Sequence, residues 1–261
     1  MRRSSMAALA ALLLGAAASA PAVRAEGGCV GCHRTRDPAL VAAWSRSAHG
    51  GSPPRAPCAA CHGPDHAGAA ARARRSATCL ECHGGDGVAV RTHRLSKHGV
   101  IERLEGLGWD WARPLARGAY RAPGCAYCHA HAGGHDPGAV RDPDRARAVC
   151  LDCHGPRYVT RILEAGAAQL AVGRLKLAEA EAALARARGA GLPAAALAAA
   201  ARHLEAMRAD LRALRLGVAH HSPDDQWWHG QAALDGALLR LKGAIERGRR
   251  QRAAPGAEGT R

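Results

Sequence analysis

The stretch Cys58-Ala-Ala-Cys61-His62 is one of five copies of a Cys-x-x-Cys-His pattern that together use all ten cysteines of the chain. The other copies are Cys29-Val-Gly-Cys32-His33, Cys79-Leu-Glu-Cys82-His83, Cys125-Ala-Tyr-Cys128-His129 and Cys150-Leu-Asp-Cys153-His154. This pattern is the attachment signature of c-type haem, in which the two thiols bond to the haem vinyl groups and the histidine becomes the proximal iron ligand. The sequence therefore predicts five covalently bound haem c groups, with proximal ligands His33, His62, His83, His129 and His154.

Two other uses of paired cysteines compete with haem attachment. Structural zinc takes paired Cys-x-x-Cys units, so five units would leave one unpaired, and zinc requires no histidine directly after each second cysteine. Disulfides within each pair of cysteines would likewise require no histidine at that position. Five repeats that all carry the histidine favour haem over both alternatives.

The composition of the chain agrees with an interior built around such groups. Its 261 residues include no Phe, 3 Tyr and 5 Trp, so bulky side chains that could fill a core are scarce. An apolar fraction of 48% argues against a fully disordered chain. A mean hydropathy of -0.21 with a single apolar run argues against a multi-pass membrane protein. Five macrocycles would supply the missing large apolar groups.

The single apolar run lies at the N-terminus, where Arg2 and Arg3 precede it and Val23-Arg24-Ala25 offers a peptidase site. We interpret residues 1–25 as a Sec signal peptide, which predicts export to the periplasm. Removing its three arginines lowers the net charge from +15 to +12. Five ferric haems, each adding about -1, then leave about +7. A basic exported haem protein favours an acidic redox partner or an anionic substrate over nucleic acid.

Ten further histidines are available as distal iron ligands. His49, His98 and His135 have the most informative surroundings, and His66 and His221 complete the set of distal candidates. His203 lies beside the apolar face of a predicted helix and is not expected to be a ligand. The other four are ligands, proton donors or neither: His93, His131, His220 and His229.

Beyond the last motif the pattern changes to helical spacing. Leucines recur every seven residues from Leu163 to Leu184, Gly189-Ala190-Gly191-Leu192-Pro193 breaks the pattern, and two further stripes follow to Ile245. We expect an all-α protein with little or no sheet, in which a haem domain over residues 26–158 precedes an antiparallel helical bundle over residues 159–248. The bundle folds on itself or forms a homo-oligomer interface. Residues 249–261 are expected to be a disordered tail.

Four stretches resemble the hydroxylamine oxidoreductase family of multihaem cytochromes over about residues 29 to 165. They are Trp44 to Gly50, Cys79 to Gly99 with its Ser-Lys-His-Gly end, Ala122-Pro-Gly-Cys-Ala-Tyr-Cys-His129, and Cys150-Leu-Asp-Cys-His-Gly-Pro-Arg-Tyr158. The resemblance implies a mainly helical haem domain with bis-His haems. In the family's enzymes it also implies one haem with an open distal side.

The chain departs from that family where catalysis is concerned. Family members usually carry eight haems, and the enzymes' distal Asp-His pair aligns with Asp86 and Gly87, so the imidazole is missing. No tyrosine follows Tyr158 to form the cross-link of the oxidising enzymes. The Cys-x-x-Cys-Lys motif of the related pentahaem nitrite reductases is also absent, because all three lysines lie outside the haem motifs. Asp86 and His93 remain the only catalytic candidates.

Two classes of function follow. We favour a periplasmic electron relay in which all five haems are bis-His, because distal ligands are plentiful and the family's catalytic residues are largely absent. The alternative is an oxidoreductase with one open iron that reduces nitrite or hydroxylamine, or oxidises hydroxylamine. A third role is a subunit that docks its helices on an enzyme and carries electrons to it. The expected partners are other periplasmic or membrane-bound redox proteins.

Overall fold

The computed structural model describes residues 27–84, 87–114 and 120–254, and all regular secondary structure in these ranges is helical. The all-α prediction is therefore confirmed for this part of the chain. The predicted signal peptide and the catalytic candidate Asp86 lie outside the described residues. None of the described helices combines the length and the apolar character needed to cross a membrane.

The segment that carries the Cys-x-x-Cys-His motifs is built from short helices. They are α1 Gly27–Arg36, α2 Pro38–Arg46, α3 Ala48–Gly51, α4 Cys58–His62, α5 Ala69–Arg74, α6 Ser76–His83, α7 Val88–Leu95, α8 Lys97–Glu105, α9 Cys125–His129 and α10 Pro143–Leu151. Short 3-10 turns stand at Gly106–Gly108, His131–Gly133 and Ala139–Arg141. Asp37 and Asp142 each cap a helix whose first residue is proline, which fixes where α2 and α10 begin.

Large buried apolar side chains are few in this motif-bearing segment. Among its described residues, the buried apolar groups are Val41, Trp111, Ala122, Ala126, Tyr127 and Val149. Trp111 packs against Trp109 and Tyr120 with ring centroids 5.4 and 5.1 Å apart. A segment of this length needs more apolar contact than these side chains supply, as expected if bound groups complete its interior.

Long helices follow the last motif. They are α11 Pro156–Gly189, α12 Ala194–Ala219, the one-turn helix α13 Pro223–Gln226, and α14 Ala233–Ala253, with a π-helix over Trp227–Ala232 between the last two. The bundle thus starts three residues before the expected boundary at 159, because Pro156 opens α11. It also continues past residue 248 to Ala253, so the beginning of the predicted tail is helical.

The three long helices pack around one hydrophobic core that includes Leu184, Met207, Leu214 and Leu241. On α11, the buried positions include one leucine of the seven-residue repeat, Leu184, and the small residues three positions after each leucine: Gly166, Gly173, Ala180 and Ala187. A Cβ on Gly166 would lie 2.6 Å from Val218, and one on Gly173 would lie 2.9 Å from Leu211. Small residues therefore let α11 and α12 approach closely in an antiparallel pair.

Candidate haem centres

The motif cysteines and histidines lie on or beside short helices. In α4, α6 and α9, the motif begins at or within the helix and its histidine is the last helical residue. Cysteines three positions apart therefore lie on the same side of the helix, and the histidine follows at its end. No disulfide joins any of the ten cysteines, all of which lie in the described part of the chain.

Each motif histidine lies opposite a second histidine from a distant part of the chain. The ring centroids of the five pairs are 5.8 to 6.5 Å apart. The pairs are His33 with His66 at 6.1 Å, His62 with His135 at 5.9 Å, His83 with His49 at 5.8 Å, His129 with His220 at 6.5 Å, and His154 with His98 at 6.0 Å.

These separations fit axial ligation of a metal between the two rings. Two imidazoles bonded to one metal ion from opposite sides, with metal–nitrogen bonds of about 2.0 Å, have ring centroids roughly 6 Å apart. The residues therefore fit haem groups whose irons lie between the paired histidines.

Hydrogen bonds orient three of these imidazoles for ligation through Nε2. The Nδ1 atoms of His129 and His135 lie 2.9 Å from the carbonyl oxygens of Pro137 and Gly133. Since a carbonyl only accepts, each Nδ1 carries the hydrogen and each Nε2 has a free lone pair. Nδ1 of His220 likewise faces the hydroxyl of Thr92 at 2.7 Å. Metal-bound histidines in proteins commonly have such a partner on the other ring nitrogen.

Burial keeps several of these histidines neutral. Burial is the main cause that lowers the pKa of His98 and of His220 to about 4, with neighbouring histidines adding to the effect. Burial also lowers the pKa values of His49 and His62. Neutral imidazole is the form that binds a metal, so these surroundings favour ligation.

Two distal candidates occupy the same local structure, a Ser-x-His-Gly turn between two helices. Ser47 ends α2 and caps α3: its Oγ donates to the carbonyl of Trp44 and accepts from the N–H of His49. Ser96 ends α7 and caps α8 in the same way, donating to the carbonyl of His93 and accepting from Gly99. The serine cap fixes the direction of the second helix and thereby places the histidine.

Consecutive motifs adjoin one another in space. Burial and the nearby Cys82 raise the pKa of Cys61, so the second motif adjoins the third. Cys125 lies within hydrogen-bonding distance of Cys79, and the Cys125 N–H donates to the hydroxyl of Ser76 at 2.9 Å, so the third adjoins the fourth.

The remaining contacts complete the series. The Tyr127 hydroxyl donates to Asp152 at 3.1 Å and links the fourth motif to the fifth. The first motif meets the second through His66, which lies four residues after His62 and pairs with His33. The motifs therefore form a continuous series in chain order.

The structure brings four of the five distal candidates, His49, His66, His98 and His135, opposite a motif histidine. It places His220 opposite His129, whereas the fifth distal candidate, His221, lies near His154. His221 has a positive φ of 55° where the chain leaves α12, and its lowered pKa reflects burial and the proximity of His154. His220 and His221 therefore lie near different motif histidines. Their neighbours in the sequence do not indicate which of the two lies opposite His129.

The catalytic candidate His93 does not border an open iron position in the described residues. Its Nε2 faces the carbonyl of Pro123 at 3.3 Å, and its ring lies edge-on to His220 at 6.0 Å. It therefore packs beside a paired histidine rather than opposite an unpaired one. Of the other histidines, His131 faces Asp152 at 2.7 Å and His229 is exposed.

Fold and site together define a helical cytochrome with several covalent haem sites. Residues 54–141 match the family model described as "Seven times multi-haem cytochrome CxxCH", which covers three of the five motifs. A solved chain from the Kuenenia stuttgartiensis reducing HAO-like protein complex Kustc0457/Kustc0458 has the same fold, with a TM-score of 0.55 and 16% identity over 87% of this chain and 86% of that one. Residues 54–141 are thus similar to multihaem cytochromes, whose Cys-x-x-Cys-His motifs bind haem c covalently, and the fold of the chain is similar to that of a chain from an HAO-like complex.

Proposed function

We propose that this chain is an exported five-haem cytochrome that relays electrons between redox partners. All five haems are six-coordinate, with one motif histidine and one distal histidine each. Each haem, when bound, supplies a reversible one-electron iron couple. Five proximal ligands and five distal ligands leave no iron side for a substrate, so the protein passes electrons without transforming a small molecule.

The observation that carries this proposal is the pairing of every motif histidine with a second imidazole at 5.8 to 6.5 Å. An enzyme of this type needs one motif histidine without such a partner. The neutral state of the buried distal histidines and the hydrogen bonds to Nδ1 of His129, His135 and His220 support ligation further.

The residues of the chain contribute to the relay by holding the haems next to one another. The adjoining motifs, linked by contacts such as Ser76 with Cys125 and Tyr127 with Asp152, support a single path from the first haem to the fifth. The arginines near the motifs carry the positive charge that pairs with haem propionates and with an acidic surface on a redox partner. Export, which the N-terminal sequence indicates, supplies the compartment in which thioether attachment of haem takes place.

Ligand-sensitive spectroscopy of the purified ferric protein tests the proposal. Mass spectrometry is expected to find five added haems, and EPR spectra are expected to show only low-spin iron that neither cyanide nor nitrite alters. In the His135→Ala variant, one haem is expected to become high-spin and to bind cyanide, because His62 loses its partner ring. His203→Ala, a half-buried residue of α12, is the matched control and should leave all haems low-spin. A high-spin signal in the unaltered protein that responds to nitrite would favour the enzyme instead.

A second candidate function is that of an electron-transfer subunit docked on an enzyme. The solved chain with the same fold is part of a reducing HAO-like protein complex, and it matches nearly the whole of the present chain. We infer that the redox partner of this chain is a reducing HAO-like protein. Size-exclusion chromatography of the exported protein at its native abundance distinguishes the two roles, since a docked subunit co-elutes with the enzyme in fixed ratio and a mobile carrier elutes alone.

A further inference from the structure

The connection between α12 and α14 returns to the motif-bearing segment and contacts α7. Its first residue, His220, lies opposite His129, and its residue Asp225 forms an ion pair with Arg91 of α7. Thr92, the next residue of α7, contacts His220. Two neighbouring residues of one helix therefore contact this connection at two points, its first residue His220 and the interior residue Asp225.

Asp225 is completely buried, and both of its carboxylate oxygens have partners. Oδ1 accepts from Nη2 of Arg91 at 2.7 Å and from Nε at 3.3 Å, while Oδ2 accepts from the hydroxyl of Ser222 at 3.0 Å. A Cβ on Gly217 of α12 would lie 2.7 Å from the Cβ of Asp225, so the helix backbone packs directly on this residue. Arg91 is 38% exposed whereas Asp225 is buried, so removing Arg91 would leave a buried carboxylate without its ion-pair partner, which is costly.

Thr92 is also completely buried, and its hydroxyl has two contacts. It donates its one hydrogen to the carbonyl of Ala89 at 2.9 Å, so its oxygen accepts from Nδ1–H of His220 at 2.7 Å. That hydrogen bond leaves the lone pair of Nε2 free on the side of the ring away from Thr92. The threonine thus selects both the tautomer and the orientation of the imidazole.

We propose that Thr92 and the Arg91–Asp225 ion pair are positioning residues that hold His220 as the distal ligand of the haem attached at His129. The inference rests on the proposed function, because it assumes that this haem has two histidine ligands. The ion pair keeps the connection docked on α7, and Thr92 fixes the ring within the docked connection. The helical bundle is in this way a structural part of the fourth haem site rather than an appended domain.

Loss of the Thr92 hydroxyl and loss of the Arg91–Asp225 ion pair are expected to have different consequences for the haem. Without the hydroxyl of Thr92, the Nδ1–H of His220 is left without an acceptor, so the ring becomes a weaker donor to iron and is free to rotate. A weaker donor stabilises ferric iron less, which raises the reduction potential of that haem. Without the charge of Asp225, Arg91 loses its partner and the connection undocks in part of the molecules, which exposes one side of the iron.

Three variants of the full holoprotein test this inference, with His220→Ala as the reference. His220→Ala is expected to make one haem in five high-spin in the ferric EPR spectrum. Thr92→Val is expected to raise the potential of that same haem and to change its low-spin g-values, while Thr92→Ser keeps both near their original values. Asp225→Asn is expected to give a fraction of the high-spin signal seen in His220→Ala.

The control is Arg121→Gln, which breaks the exposed Arg121–Glu105 pair of 2.8 Å and should leave every haem unchanged. Far-UV circular dichroism confirms that each variant is folded. If His220→Ala produces a high-spin haem but Thr92→Val and Asp225→Asn leave the potentials and spectra unaltered, the positioning role is overturned while the proposed function stands. If His220→Ala leaves all haems low-spin, the ligand assignment itself fails, and the positioning role fails with it.

Discussion

Gly50 and Gly99 follow the distal histidines His49 and His98 and occupy equivalent places in the two Ser-x-His-Gly turns. A Cβ on Gly50 would lie 2.3 Å from the carbonyl oxygen of Trp44, and one on Gly99 would lie 2.1 Å from that of His93. Both contacts are with backbone atoms, which have no room to yield. The glycines therefore let the second helix of each turn begin directly against the end of the first.

Gly99→Ala is expected to displace the start of α8 and with it His98. The variant should lose stability by about 1–3 kcal/mol, the typical cost of inserting a methyl group into a packed site. Its haem at His154 should also show altered low-spin g-values, because its distal ring has moved. Chemical denaturation and ferric EPR measure the two effects. Gly189→Ala is the matched control, since a Cβ there meets nothing within 4 Å, and an equal loss in both variants would contradict the explanation.

At the scale of the element, the bundle depends on the alternation of small and large residues between α11, α12 and α14. Leu214 of α12 is completely buried and lies 3.1 Å from the Cβ position of Gly173 and 2.8 Å from that of Gly230. It thus fills the space that two glycines leave on the neighbouring elements. The Leu repeat from Leu163 to Leu184 predicts a helix and a seam, whereas the small residues set how closely that seam packs.

Leu214→Ala is expected to destabilise the bundle by about 2–5 kcal/mol, because it leaves a cavity where two backbones approach and cannot collapse further. Thermal unfolding of the holoprotein followed at 222 nm measures the change. Leu175→Ala, on the exposed side of α11 with 70% of the side chain accessible, is the comparison and should shift the midpoint little. Similar shifts in both variants would mean that the core described for α11, α12 and α14 does not carry the stability.

At the scale of the whole molecule, the two halves are stabilised in different ways. The bundle has a continuous core of Leu, Ala, Met and Ile side chains, while the motif-bearing segment has few large buried groups among its described residues. The paired histidines join positions that are 33 to 91 residues apart in the chain. With the proposed ligation by these pairs, each bound haem closes a long loop as well as filling space, so we expect the segment to depend on its haems for its fold.

The full chain produced without haem attachment is expected to lose structure in the motif-bearing segment and to retain its C-terminal helices. Limited proteolysis followed by mass spectrometry should show cleavage before Pro156 at least about ten times faster than in the holoprotein, because a segment without its cofactors opens far more often. Cleavage within α11, α12 and α14 should change much less. Equal protection of both halves in the haem-free chain would show that side chains alone hold the first half together.

Local spacing determined those features that depend only on neighbouring residues. The prediction of haem attachment follows from thiols and histidines that lie within five consecutive positions, and the helical C-terminal part follows from apolar periodicity. His49, His66, His98 and His135 were accessible as candidates because a distal ligand has to be a histidine outside a motif. The sequence alone did not assign any of them to a particular motif.

Tertiary structure decided which histidine faces which motif, the placement of His220 rather than His221 opposite His129, and the contacts of Thr92, Arg91 and Asp225. The physical reason is the range of the interactions. Thioether attachment requires only that two cysteines and a histidine lie close together in the chain, so a short sequence motif is enough to predict it. A histidine pair forms between rings on separate elements, and for His129 and His220 it depends on the packing of α7 against the end of α12, which no single stretch of sequence encodes.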